Sequence, residues 1–101
     1  MLLNKEDIFS FILQHKDELA KKYHVQKIGV FGSFARDEQK ENSDIDLIVE
    51  FSTQADRLHE TKEALRDQFK AKFHREVDIA NAKYLKPYIR EDILKEAKYA
   101  R

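Results

Sequence analysis

Apolar positions along this chain recur with two different periods, and the switches between them mark its elements. Ile8, Ile12, Leu19 and Tyr23 keep a helical stripe behind Asn4, an N-cap with Asp7 three residues on, which predicts a helix to about His24. Lys27-Ile28-Gly29-Val30-Phe31 is short and rich in β-formers, and predicts a strand that ends at Gly32-Ser33. From Arg36 to Ser43 there is no apolar residue, so a solvated loop is expected. Ile45, Leu47, Val49 and Phe51 then alternate with Asp44, Asp46, Ile48 and Glu50, giving a strand with one apolar and one mostly polar face. Helical spacing returns from about Thr53 to Phe73, with Leu58, Leu65, Phe69 and Phe73 inward. Glu63/Arg66 and Asp67/Lys70 form i,i+3 pairs on its wet side. Glu76 to Ala80 reads as a third strand. Pro87 suits the first turn of a closing helix that runs to about Tyr99, with Ile89, Ile93, Leu94 and Ala97 as its apolar positions.

Helices and strands in this order predict one α/β (α+β) domain over residues 1–101, with no repeat and no linker. Lys plus Arg and Asp plus Glu are both 19, so the formal net charge is zero. Extended nucleic-acid binding needs clustered cation excess and is not expected. A neutral surface also makes association with a partner the mild expectation. Cysteine is absent, which excludes disulfides, thiolate metal sites and a cysteine nucleophile. The N-terminus lacks a basic-then-apolar signal pattern and no apolar run approaches membrane-spanning length, so a soluble cytoplasmic protein is expected.

The candidate chemistry lies at the strand ends. A Gly-Ser corner leaves backbone N–H groups unobstructed at the start of a turn, which suits phosphate oxygens. Asp44 and Asp46 are one residue apart on a strand, so both carboxylates share a face, roughly 7 Å apart at the backbone. Oxygen ligands at that spacing suit Mg²⁺, which usually takes one or two carboxylates plus substrate phosphates. If Val77 and Ile79 point toward the helices with Ile45, Leu47, Val49 and Phe51, then Asp78 joins Asp44 and Asp46 on the other face. Three like charges on adjacent strands about 4.8 Å apart raise one another's pKa unless a cation neutralises them. One or two Mg²⁺ ions, with two expected, would do so and bridge a nucleoside triphosphate. Arg36 has two readings: a contact to the triphosphate, or a partner for a nearby acid. Glu50 reads as a solvated strand end. His15, His24, His59 and His74 are scattered and read as surface or cap residues. Tyr84, Tyr88 and Tyr99 read as packing residues.

Gly32-Ser33-Phe34-Ala35-Arg36, then Ser43-Asp44-Ile45-Asp46-Leu47-Ile48-Val49, then Val77-Asp78-Ile79 resemble the signature of the DNA polymerase β-type nucleotidyltransferases. The chain looks most like the minimal branch, the MntA-like antitoxins paired with HEPN ribonuclease toxins; the tail from Leu85 to Ala97 is similar as well. The resemblance implies a polymerase β-like fold, a small mixed sheet of three or more strands with helices mainly on one face. It implies Mg²⁺-dependent transfer of AMP from ATP to a hydroxyl, a tyrosine in the expectation, of a cognate HEPN toxin. Asp44, Asp46 and Asp78 would be catalytic and metal-binding, with Asp78 assisting deprotonation of the acceptor, while Gly32, Ser33 and Arg36 would contact the nucleotide. Asp37 departs from the family's usual glycine. A non-catalytic antitoxin that binds its toxin directly is the alternative, and a stand-alone small-molecule transferase is a third reading.

Overall fold

The computed structural model describes residues 2–52 and 57–99. A helical segment comes first, capped as its sequence demands: the Asn4 side chain accepts from the Asp7 N–H, and the Asp7 carboxylate accepts from the Asn4 N–H, both at 3.0 Å. The single long helix expected there is two helices, α1 (Lys5–Gln14) and α2 (Lys16–Lys22). They part at His15, whose ring Nδ1 lies 2.9 Å from the Phe11 carbonyl that its own N–H also approaches. A side chain that competes for the i−4 carbonyl bends a helix at that point.

Strand β1 (Val25–Phe31) runs antiparallel to β2 (Ile45–Phe51), with a bulge between Val25 and Lys27. A parallel partner for β2 requires a crossover. It is α3 (Leu58–Phe73), which returns the chain to β3 (Val77–Asn81). The Thr53–Asp56 part of the helix expected from Thr53 falls outside the described residues. A 3₁₀ turn at Ala82–Tyr84 follows, with the Asn81 side chain accepting from the Lys83 N–H, and then α4 (Pro87–Glu96). The closing helix stops three residues short of the expected Tyr99, because Lys98–Tyr99 forms β4 on the free edge of β1. Strand order is β3-β2-β1-β4, a mixed sheet.

The core lies on one face of this sheet. Ile8, Phe11, Ile12, Leu19, Leu65 and Phe69 from the helices close on Val30, Ile45, Leu47, Val49, Val77 and Ile79. Phe11 meets Phe69 edge-on at 5.1 Å and Phe73 at 5.4 Å. Glu63 and Arg66 pair as expected, but Lys70 reaches Glu76 at 3.0 Å. Tyr84 and Tyr88 are 68% and 66% exposed, which overturns their reading as packing residues; only Tyr99 packs, against Gly29, where an added Cβ would meet its ring at 2.8 Å. His74 is the left-handed C-cap of α3, as the cap reading expects, whereas His24, also left-handed, follows Tyr23, the C-cap of α2.

Asp37 also has a left-handed backbone, φ +58°, a conformation that glycine adopts without strain. Its carboxylate turns outward to the Lys5 ammonium at 2.8 Å. Asp tolerates this region better than most residues but still carries a strain. Replacing Asp37 with Gly or Ala removes the same exposed ion pair, and only Gly relieves the backbone. Asp37→Ala should therefore be less stable than Asp37→Gly by about 1 kcal/mol in urea denaturation.

Candidate active site

The site forms where β1 ends and where β2 and β3 begin. Asp44 stands just before β2 and is exposed; Asp46, half-buried, follows on the strand. The parallel register sets Asp46 opposite Asp78, so the carboxylates of Asp44, Asp46 and Asp78 share the face away from the core, as the alternation predicts. Glu50 is exposed further along that face, while Ile48 between them is buried, so the face is less open than its polar pattern suggests.

The start of β2 is fixed by Arg75. Its guanidinium donates to the Ser43 carbonyl at 3.0 Å and lies over the Phe34 ring at 5.4 Å. Ile45 N–H donates to the Glu76 carbonyl at 2.9 Å, which begins the β2–β3 ladder. One side chain thus ties the Asp44 segment to the turn that follows β1. Arg75 carries no motif signal, whereas Phe34 lies within the Gly32–Arg36 signature. Phe34 is an aromatic placed just before a run of polar residues, and it is fully buried.

That turn spans residues 32–37 and is closed by Arg36 N–H to Gly32 O, Asp37 N–H to Phe34 O and Glu38 N–H to Ser33 O. Among the described residues no partner takes the N–H groups of Ser33, Phe34 or Ala35. Gly32 has φ +73°, and a Cβ there would lie 2.2 Å from Asp46 Oδ2. Glycine is required twice, for its backbone angle and for the carboxylate packed against it.

Sequence reasoning missed Glu96, the last residue of α4. Its Oε1 accepts from the Gly32 N–H and, at 2.7 Å, from Arg36 Nη1. Arg36 also donates to Glu38 at 3.2 Å, so in this state it partners acids, the second of its two readings. One clue was present: a carboxylate at a helix C-terminus opposes the macrodipole and needs an outside donor. The partner lies 64 residues away in sequence, and no local pattern reveals that.

The electrostatics follow from this crowding. Burial first, then Asp78, Asp44 and Glu96, push the Asp46 carboxyl up to about 6 from its ordinary 3.8, against the pull of Arg36. Among the described residues no three acidic or imidazole side chains close around one point, so the expected three-aspartate cage is not preformed. The donor set still fits Mg²⁺, which binds through one or two carboxylates and completes its shell with water and substrate phosphates. Among the described residues no helix is long and apolar enough to cross a membrane.

A mixed sheet with its apolar core on one face, two acids at the head of β2 and a glycine turn beside them define a nucleotide-transferring class of enzyme. The model of the nucleotidyltransferase domain family matches residues 12–100. The chain is 36% identical over 98 residues to the protein adenylyltransferase MntA of Thermococcus cleftensis, covering 97% of each. A solved structure described as a minimal nucleotidyltransferase matches with TM-score 0.79 and 28% identity over 95% of each chain. A chain from a complex of a tri-AMPylated HEPN toxin with an MNT antitoxin, from Shewanella oneidensis, matches with TM-score 0.62 and 16% identity, over 92% of this chain and 71% of that one. At that identity the likeness speaks for the fold alone. The chain belongs to the nucleotidyltransferase domain family, among its minimal members, and is a nucleotidyltransferase.

Two measurements probe this geometry. Gly32→Ala should lose about 1–2 kcal/mol from the left-handed angle, read by thermal melting, and should weaken nucleotide binding by displacing Asp46. The second concerns pH. Asp46 is protonated below about pH 6 and must lose that proton to bind a cation, so affinity is full above about pH 7 and falls as pH drops through 6. Mn²⁺ binding followed by electron paramagnetic resonance should weaken about tenfold per unit below pH 6. A flat profile between pH 5 and 7 would contradict the raised carboxyl.

Proposed function

We propose that this chain is a protein adenylyltransferase that moves AMP from ATP onto a hydroxyl of a partner protein and acts as its antitoxin. The partner is a cognate HEPN-family ribonuclease toxin, and the acceptor a tyrosine. The observation that carries this reading is the register that sets Asp46 opposite Asp78 beside the Gly32 turn. The name of the Thermococcus cleftensis relative supports the reaction type, and the Shewanella oneidensis complex supports the kind of partner.

In this reading Asp44 and Asp46, with Asp78 contributing, would hold Mg²⁺, two ions in the full site, which would supply charge neutralisation and Lewis acidity at the triphosphate. The free N–H group of Ser33 binds a phosphate oxygen at the turn, and Arg36 adds a charged donor. Asp78, exposed at the edge of the carboxylate face, accepts the proton of the acceptor hydroxyl. The hydroxyl oxygen bonds to the α-phosphorus, the bond from that phosphorus to the β-phosphate oxygen breaks, and pyrophosphate leaves. ATP as donor suits a cytoplasmic setting.

The alternative, a non-catalytic antitoxin that works by binding alone, draws on one observation: Glu96 already occupies donors the nucleotide would use. The two readings separate in one experiment. Asp44→Asn with Asp46→Asn should cut the rate of AMP addition to a co-expressed partner by roughly a thousandfold, measured by intact mass. It should also abolish protection of cells from that partner. Protection that survives in the double variant would favour the binding-only reading, and undiminished AMP addition would refute the assignment of both aspartates.

A further inference from the structure

Glu96 sits at the end of a weakly held tail. Helix α4 has no buried residue, Tyr88, Ile89 and Leu94 face solvent, and among the described residues β4 pairs with β1 through Lys98 and Tyr99. Against that background the Glu96 carboxylate makes two specific bonds, to the Gly32 N–H and to the Arg36 guanidinium. Both donors belong to the turn next to Asp46, and both are of the kind that bind phosphate oxygens. A carboxylate on those donors stands where an anionic ligand would stand.

We propose that Glu96 is a built-in competitor for the triphosphate, holding the Gly32 N–H and Arg36 until a nucleotide displaces it. This rests on the nucleotide site proposed above and adds how that site is gated. The same negative charge that occupies the donors also adds to the acids around Asp46, so the closed tail resists an anion until a cation arrives with it. Displacement asks little of the fold, because α4 has no core side chain to extract. Apparent nucleotide affinity is then the intrinsic affinity reduced by the fraction of molecules with the tail open. A ligand bringing several phosphate oxygens together with Mg²⁺ competes well for the donors, and a single phosphate group competes poorly. Glu96 thereby favours a nucleoside triphosphate over a monophosphate.

The test is calorimetric titration of the full chain, its Glu96→Gln variant and its Glu96→Ala variant with Mg²⁺ and α,β-methylene-ATP, which cannot transfer its AMP. Glu96→Ala should bind about tenfold more tightly than the unaltered chain, as expected if the open form is a tenth of the population. Glu96→Gln, nearly the same shape without the charge, should fall between them. Thermal melting of all three proteins accompanies the titration. Affinity in both variants within about twofold of the unaltered chain, or weaker, overturns the proposal, since the carboxylate would then be idle or would support the nucleotide. Failure of the underlying site looks different: none of the three proteins would bind the nucleotide at all.

Discussion

The parallel pairing of β2 with β3 is the constraint on which the site depends. Side chains alternate along a strand, so a slip of one residue would turn Asp78 into the core and expose Val77 and Ile79. The register is held from both faces at once. Val77 and Ile79 must join Leu65 and Phe69 in the apolar cluster, and Arg75 fastens the entry to β3 onto the Ser43 carbonyl. Burial on one face thus fixes acid positions on the other, and no interaction between the acids themselves is needed to bring them there.

Gathering those acids works against the fold. Asp46 is half-buried beside Asp44, Asp78 and Glu96, and burial and those acids push its carboxyl up to about 6, so it ionises less readily than an exposed aspartate. Such crowding fits a site that awaits a cation, and perturbed carboxylates cluster where chemistry is done. Gly32 and Phe34 show the same economy in the adjoining turn. The glycine lets the Asp46 carboxylate lie against the backbone, and the buried phenylalanine anchors a turn in which the Ser33 N–H has no partner among the described residues.

Much of this was legible from residue order. The three main strands, the α3 crossover and the shared face of Asp44, Asp46 and Asp78 follow from period-2 and helical spacing, and the motif residues point to the family. Four features were not legible. The break at His15 comes from a ring reaching back to the Phe11 carbonyl, with no proline or glycine to announce it. Strand β4 is two residues long and exists because β1 offers an edge, so its sequence still reads as helix. Lys70 finds Glu76 past the end of α3 in preference to Asp67 on its own helix. Glu96 acts through donors from the far side of the chain. Each miss is a contact between segments distant in sequence or a side chain that overrides local preference, whereas each success rests on periodicity. The departure at Asp37 is resolved by geometry: the residue accepts the glycine-like angle and sends its carboxylate to Lys5.

The account is tested most directly by a crystal structure of this chain with Mg²⁺ and a non-transferable ATP analogue. It predicts the cation on Asp44 and Asp46, phosphate oxygens on the N–H groups of the Gly32 turn, and Asp78 facing the α-phosphorus from the acceptor side. A nucleotide bound elsewhere, or a cation that leaves Asp46 untouched, would contradict it.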